Sequence, residues 1–317
     1  MPILEFKQDT PEIKKQPAAI SINNVLYATD FSAASEAALP YASAICRRFG
    51  SALHVVHVVS DTSPLIMTSG LDYVGLEALC QNAQTLAQEK LKQAAGRLGQ
   101  IPYRTYLRHG EVWPNLRDIV ANNRVDLIVV GTHGRGGLGK LMLGSVTENI
   151  LRQASCPVLT VGPRVCGRAK LQEFSGGGRE LAPVELELRE ILCAMNFTAA
   201  SREVAQVAIQ LAAQFQARLT MIHVIEGDSR LGKPPKPTNY GMRELHEDIS
   251  KAALAYAPEI VTEFGCAWYC IVNQAAAREA DLIVLGAHPA EHATHLPWST
   301  VHQVMARATC PVLTVRA

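Results

Sequence analysis

The segment Asp126-Leu-Ile-Val-Val-Gly-Thr-His133 decides the fold of this 317-residue chain, because it returns near the end as Asp281-Leu-Ile-Val-Leu-Gly-Ala-His288. Each copy is a run of aliphatic residues that ends in glycine. A continuous apolar run, unlike an alternation of apolar and polar residues, is typical of a strand buried on both faces of a parallel sheet. The repeated segment therefore predicts two related α/β units.

Two further blocks repeat in the same order. Ala28-Thr-Asp-Phe-Ser-Ala-Ala-Ser35 recurs as Ala194-Met-Asn-Phe-Thr-Ala-Ala-Ser201, and Ala154-Ser-Cys-Pro-Val-Leu-Thr-Val161 recurs as Ala308-Thr-Cys-Pro-Val-Leu-Thr-Val315. Three blocks in one order indicate duplication of a whole domain. We predict an N-terminal tail, a first domain, a glycine-containing linker and a second domain over residues 1–20, 21–163, 164–186 and 187–317.

Strand and helix patterns alternate through the first copy, and Ser32 is placed to cap the first helix. The predicted strands are 25–28, 52–59, 103–108, 126–130 and 158–161, and the predicted helices are 32–49, 76–98, 112–123 and 146–153. The chain is thus predicted to form two tandem doubly wound, Rossmann-like domains, each with a five-stranded parallel sheet. Ligands of such sheets bind beyond the carboxyl ends of the strands, where the winding reverses. Asp30 and Gly131 both follow strands and are candidates for one crevice.

The glycine-rich loop from Gly131 to Ser145 is predicted to bind an anion, because glycine lets a phosphate approach the backbone N–H groups closely. Three motifs compete for it. Gly134-Arg-Gly-Gly-Leu-Gly139 fits a dinucleotide fingerprint but follows the fourth strand, and the Walker A reading fails at Leu141, where the Mg²⁺-binding hydroxyl should stand. The third pattern is Gly, two residues, Gly, nine residues, Gly and then Ser or Thr. It is satisfied in full.

With this spacing and the run Gly144-Ser-Val-Thr-Glu-Asn149, the chain resembles the universal stress protein family in its tandem form, and the first copy resembles the ATP-binding branch. The resemblance implies that the loop cradles phosphates and ribose, that Asp30 lies near the nucleoside, and that three apolar residues frame adenine. Arg135 and Lys140 are candidate phosphate contacts. The expected cofactor is ATP, with or without Mg²⁺. The expected binding residues are Ala28, Asp30, Val58, Val130, Gly131, Gly134, Arg135, Gly144, Ser145, Val146 and Thr147.

The second copy departs from the first at the crevice. Asn196 stands in place of Asp30, Pro289 in place of Gly134, and Trp298 in place of Gly144. Proline removes an N–H donor and an indole fills space that a phosphate would need, so we expect no nucleotide there. The resemblance implies instead that this copy packs against the first as a built-in dimer partner, and it leaves a further homodimer open.

Histidines and cysteines suggest metal sites only weakly. His288, His292 and His295 cluster beside Glu291, but spacing in a loop is poor support for zinc, and solvated histidines are the favoured interpretation. His54 and His57 are expected to be structural, because residues three apart in a strand point to opposite faces. The cysteines are predicted to be reduced thiols, and interior packing is expected for Cys156, Cys310, Cys266 and Cys270.

The composition of the chain disfavours some classes of function. Lys and Arg number 30 against 29 Asp and Glu, which disfavours nucleic-acid and membrane binding. The sequence shows no signal-peptide pattern, so a cytoplasmic location is expected. The function that we expect is regulation of a stress response through ATP binding in the first domain. Two alternatives are an enzyme that slowly hydrolyses ATP or autophosphorylates at Ser145 or Thr147, and a scaffold that needs no nucleotide.

Overall fold

The computed structural model describes residues 19–59, 73–132, 143–165, 186–196, 199–226, 258–287 and 300–316. Its first domain alternates strands and helices as the sequence predicts, with ends that move by a few residues. The elements are β1 (Asn24–Ala28), α1 (Ala33–Phe49), β2 (Ala52–Val59), α2 (Tyr73–Gly96), β3 (Tyr103–His109), α3 (Val112–Asn123), β4 (Leu127–Gly131), α4 (Ser145–Gln153) and β5 (Val158–Val161).

The second domain repeats this order in the part of the chain that is described. Its elements are β6 (Glu190–Met195), α5 (Ala199–Phe215), β7 (Arg218–Ile225), β8 (Glu259–Phe264), α6 (Ala267–Ala277), β9 (Leu282–Ala287), α7 (Thr300–Arg307) and β10 (Val312–Arg316).

The two predicted sheets are joined edge to edge into one sheet with the order β3-β2-β1-β4-β5-β10-β9-β6-β7-β8. Neighbouring strands within each domain are parallel, and the joint between β5 and β10 is antiparallel, with Leu159 opposite Leu313. Two buried hydroxyls add hydrogen bonds across the joint: Thr160 donates to the carbonyl of Val312 and Thr314 donates to the carbonyl of Val158, each at 3.1 Å. The second copy is therefore built into the sheet of the first.

The apolar core is shared on one face of this sheet. A single cluster includes Leu39 and Ile45 of α1 together with Ala208 and Leu211 of α5. The ring of Phe49 lies 6.1 Å from that of Phe215, edge to face, where the ends of the two helices meet. On the other face, each domain has a cluster of its own beneath α3 and α4 or beneath α6 and α7. Separating the domains would therefore expose a large part of the core.

The repeated segments begin with an aspartate because that side chain fastens the start of the neighbouring strand. Asp126 accepts hydrogen bonds from the backbone N–H groups of Asn23 and Asn24, at 2.7 and 3.0 Å. Asp281 does the same for the N–H groups of Arg189 and Glu190 at the start of β6, at 2.7 and 3.1 Å. No described helix is long and apolar enough to cross a membrane.

Candidate functional site

The candidate crevice lies between the carboxyl ends of β1 and β4. These strands are neighbours in the sheet, and the winding reverses between them, because β2 and β3 continue to one side and β5 to the other. Ala28 is the register partner of Val130. Asp30 and Gly131 consequently emerge at the same edge, which is the position where open α/β sheets bind ligands.

Asp30 lies in a tight turn between β1 and α1. Its Oδ1 accepts a hydrogen bond from the N–H of Ser32 at 3.0 Å, and the Ser32 hydroxyl in turn caps α1 by accepting from the N–H of Ser35. Phe31 between them has a φ of 58°, a conformation that is unusual for an aromatic residue. The expected N-cap is thus Ser32, while Asp30 shapes the turn that leads into the crevice.

Sequence reasoning missed a polar brace beneath this turn. His57 of β2 is buried, and its Nδ1 lies 2.7 Å from the carbonyl oxygen of Thr29. The His57 ring packs against the ring of Phe31, with 4.4 Å between the ring centres. The Thr29 hydroxyl accepts from the N–H of Phe31 at 2.9 Å. The repetition of a histidine at the same place in the second copy could have signalled this brace.

Gly131 is required by packing, whatever binds nearby. A Cβ at this position would lie 2.4 Å from the carbonyl oxygen of Ala34, in the first turn of α1. Real side chains do not approach backbone so closely, so only glycine allows β4 to end against α1. The glycine that the sequence suggested for phosphate binding therefore has a structural reason of its own.

Gly144 and the first turn of α4 form the other end of the candidate crevice. Gly144 is the N-cap and has no side chain to satisfy the N–H groups of Ser145, Val146 and Thr147. The N–H of Gly144 donates to the carbonyl of Thr132 at 2.8 Å, which holds the two ends of the loop together. Free N–H groups at a helix N-terminus attract negative charge.

The two hydroxyls of this turn have different surroundings. The Thr147 side chain is buried, and its hydroxyl donates to the carbonyl of Gly131 at 2.9 Å, so it ties α4 to the end of β4. Ser145 is exposed to solvent. Ser145 is therefore the hydroxyl available to an incoming group, whereas Thr147 is engaged in the architecture.

Three apolar side chains line the same side of the sheet as α4. Ala28, Val58 and Val130 all belong to, or pack against, the cluster under α3 and α4. Ala28 and Val58 are half-buried at the strand ends, whereas Val130 is buried. An apolar surface next to a helix N-terminus suits a molecule with a flat apolar part and an anionic part.

The centre of the predicted loop lies outside the described residues. This concerns Gly134, Arg135 and Lys140 of the first copy. It also concerns the residues of the second copy that were expected to block a nucleotide or to attract a metal, namely His288, Pro289, Glu291, His292, His295 and Trp298. Among the residues that are described, no group of histidine, cysteine and carboxylate side chains could hold a metal ion.

In the second copy, the histidine contact beneath the turn is kept, but the residue that follows the strand is different. His223 Nδ1 lies 3.0 Å from the carbonyl oxygen of Met195, which matches His57 and Thr29. Asn196, in the place of Asp30, pairs with the Ser201 hydroxyl, and its N–H donates to the same hydroxyl at 3.3 Å. Asn196 is therefore a neutral residue that pairs within its own domain, in contrast to the carboxylate of Asp30.

The cysteines differ in burial: Cys310 is buried as predicted, whereas Cys156 is half-buried. Burial raises the pKa of Cys46, Cys193 and Cys310 to about 12, so these thiols stay protonated and unreactive. Cys266, which was also expected to pack, is instead exposed as the N-cap of α6. The spacing from Cys266 to Cys270 did not reveal that the helix begins at the first cysteine.

The architecture defines a class of protein: a tandem pair of doubly wound α/β domains with a polar, glycine-flanked crevice at the switch point of the first. The sequence model of the Universal stress protein family matches residues 21–162 and 187–316. The chain belongs to this family, in its tandem form.

Individual proteins show the same relationship. A universal stress protein of Methanocaldococcus jannaschii is 31% identical over 141 residues, which are 43% of this chain and 80% of that protein. One from Mycobacterium tuberculosis is 33% identical over 135 residues, 43% of this chain and 44% of that protein. The crystal structure of a universal stress protein from Archaeoglobus fulgidus has a TM-score of 0.64 at 20% identity and covers 94% of this chain and 99% of that chain. At that identity, the similarity supports the fold alone.

Proposed function

We propose that the first domain binds ATP, or a closely related adenine nucleotide, and that the bound nucleotide regulates a stress response in the cytoplasm. The observation that carries this proposal is the pairing of two unlike surfaces at one switch point. The first turn of α4 has N–H groups without a side-chain cap, and next to it lies the apolar surface of Ala28, Val58 and Val130. A nucleotide has both complementary parts.

Each expected binding residue then has a role. The triphosphate would accept hydrogen bonds from the N–H groups of the glycine loop and of α4, with Arg135 and Lys140 as cationic partners. Asp30 would accept hydrogens from the ribose hydroxyls, because a carboxylate is a hydrogen-bond acceptor and this residue emerges at the same sheet edge as Gly131. Mg²⁺ would find oxygen ligands in the phosphates and in exposed Ser145.

The second domain would serve as a permanent partner for the first. The antiparallel joint of β5 and β10 and the shared core support this part of the proposal. The domain limits 21–163 and 187–317 remain predictions, and the formation of a further homodimer is also a prediction.

The rival proposal is slow ATP hydrolysis or autophosphorylation, and for autophosphorylation only one of the two expected acceptor hydroxyls is accessible. Thr147 is a poor acceptor because its buried hydroxyl donates to Gly131. Exposed Ser145 would have to take the phosphate. A Ser145→Ala variant that keeps all phosphate incorporation would exclude this form of the rival.

The decisive experiment is a nucleotide-dependent melting shift, because a ligand that binds only the folded state raises its stability. Wild-type protein should melt at a higher temperature with millimolar ATP, and Gly134→Pro should abolish the shift without lowering the melting temperature of the free protein. The matched control is Pro289→Gly in the second copy, which should leave the shift unchanged. Mass spectrometry of the protein as purified should find one adenine nucleotide per chain.

Two results would contradict separate parts of the proposal. An unchanged shift in Gly134→Pro would remove the assigned loop from the binding site. Two nucleotides per chain would remove the asymmetry between the copies while leaving nucleotide binding intact.

A further inference from the structure

The outermost strands of the ten-stranded sheet are β3 and β8. In the described part of the chain, no strand pairs with the outer edge of either one. No residue of β3 or β8 is fully buried, in contrast to the buried interiors of β1 and β4. An edge strand presents unpaired N–H and carbonyl groups to any second strand that fits.

Equivalent positions on these two edges carry opposite charges. Arg104 is the register partner of His54, and Glu259 is the register partner of Thr220, which holds the place of His54 in the second copy. Arg108 and Glu263 match each other in the same way, opposite Val58 and Val224. The duplication has thus diverged into one basic edge and one acidic edge.

The charges also lie on the same face of the sheet. Arg278 of α6 pairs with Glu259 through two hydrogen bonds of 2.7 Å, and Gln274 of α6 donates to Glu263 at 2.6 Å, so these carboxylates face the α6 side. Arg104 and Arg108 alternate with Thr105 and Leu107, so they share the side of Tyr106, which packs in the cluster under α3. Because α1 and α5 share the opposite face, α3 and α6 lie on one side.

We propose that β3 of one molecule pairs in antiparallel fashion with β8 of a second copy of this chain. One register places Arg104 opposite Glu263 and Arg108 opposite Glu259. The same register places Tyr103 opposite Phe264 on the other face, and these are two of the large apolar side chains that are most exposed, at 46% and 54%. Moving the pairing by four residues would keep only one of the two ion pairs. Opposite charges and aromatic pairs directly across strands are favourable.

The charge reversal selects unlike edges. Two β3 strands would bring arginine against arginine, and two β8 strands would bring glutamate against glutamate, which is unfavourable. Each molecule has one β3 and one β8, so the contact does not close on itself and repeats from molecule to molecule. The expected product is an open series of copies whose mean mass rises with concentration, rather than a dimer of fixed size.

Existing contacts make the association modest and sensitive to salt. Glu259 already holds Arg278, and the Arg108 guanidinium lies 5.4 Å from the centre of the Tyr106 ring. Both edges are exposed, so salt screens the pairs across them. Association is expected at low ionic strength and at micromolar to millimolar protein.

The test is a charge swap at the register pair Arg104 and Glu263, measured by sedimentation velocity at about pH 8, where His54 next to Arg104 is neutral. Arg104→Glu alone and Glu263→Arg alone should each weaken association about tenfold. The double variant Arg104→Glu/Glu263→Arg should restore it, because the two charges face each other again with reversed sign. An equimolar mixture of the two single variants should associate as well.

The control reverses a charge away from the edge. Arg117→Glu on α3 changes an exposed side chain of the same domain and should associate like the wild type. Melting curves for each variant would show that the fold is retained. A sedimentation coefficient of the wild type that does not change with concentration at low salt overturns the proposal. So does a double variant no stronger than the single ones.

Discussion

The two crevices of this protein are held by the same contacts and differ in the residues that they present to a ligand. In both copies an aspartate fastens the start of the first strand, and a histidine on the second strand reaches a carbonyl at the end of the first. The second copy keeps these aspartate and histidine contacts although it lacks the glycine loop. The contacts therefore serve the fold. The copies differ in the residue at this turn, a carboxylate at Asp30 against an Asn196 that pairs with Ser201, and this is a feature that a ligand could explain.

At the opposite end of the sheet, where the strands begin, the two copies also have different polar residues. The first copy has a neutral network in which His54 lies between Asn24 and Tyr106. At the matching place in the second copy, buried Glu190 accepts from the hydroxyl of Thr220 at 2.8 Å and pairs with exposed Arg218. These polar groups are therefore hydrogen-bonded within each domain, through different partners in the two copies.

The copies are expected to differ most in the free energy of unfolding that is lost when a glycine at a matching strand end is replaced by alanine. Gly131→Ala should lower the free energy of unfolding by about 3 kcal/mol, because its Cβ meets the backbone of Ala34, whereas Gly286→Ala should cost at most about 1 kcal/mol. The second site is softer because a Cβ there would meet only a side-chain methyl of Val204, at 3.2 Å. Urea denaturation of both variants measures the difference. Equal losses would show that the two strand ends pack alike.

Exchanging the two turn residues is expected to have the next largest effect. Asp30→Asn should weaken ATP binding about tenfold, since hydrogen bonds to charged groups are the stronger ones. The amide keeps an oxygen for the N–H of Ser32, so the turn should persist. Titration calorimetry gives the affinity, and Asn196→Asp is the matched control. If that control bound a second nucleotide, the turn and not the loop would account for the asymmetry.

The smallest effect is expected at His54, which has no ionisable counterpart in the second copy. Burial, and then Arg104, lower the pKa of His54 below its ordinary value of 6.5. The unfolded chain therefore takes up a proton before the folded one, and stability falls as pH decreases below about 6.5, by at most about 1.4 kcal/mol per pH unit. His54→Gln should flatten the dependence of unfolding free energy on pH in that range. An unchanged slope would assign the dependence to other groups.

Much of the fold could be predicted because its signals are local and repeated. Aliphatic runs, the Ser32 cap and the three duplicated blocks were sufficient for the order of strands and helices. The joining of two sheets into one was less accessible, because pairing between Leu159 and Leu313 depends on strands far apart in sequence. The resemblance to a family supplied the expectation of a paired arrangement, and the residues themselves did not.

The candidate site was predictable in position and less so in the roles of its residues. Asp30 and Gly131 were expected at one crevice because parallel strands end at the same edge. The brace by His57 was missed, since a histidine in an apolar strand has no local pattern that shows which carbonyl it reaches. Gly131 and Thr147 proved to have structural roles, because whether a small residue is needed depends on what packs against it.

The sequence by itself determined the duplication, the alternation of strands and helices, and the loss of the glycine pattern in the second copy, since each is a pattern along the chain. Only the tertiary structure decided that the copies form one sheet with a shared core, that Gly131 is demanded by α1, and that the outer edges carry opposite charge. These properties depend on distances between residues that are remote in sequence. Such distances are set by the packing of the whole molecule.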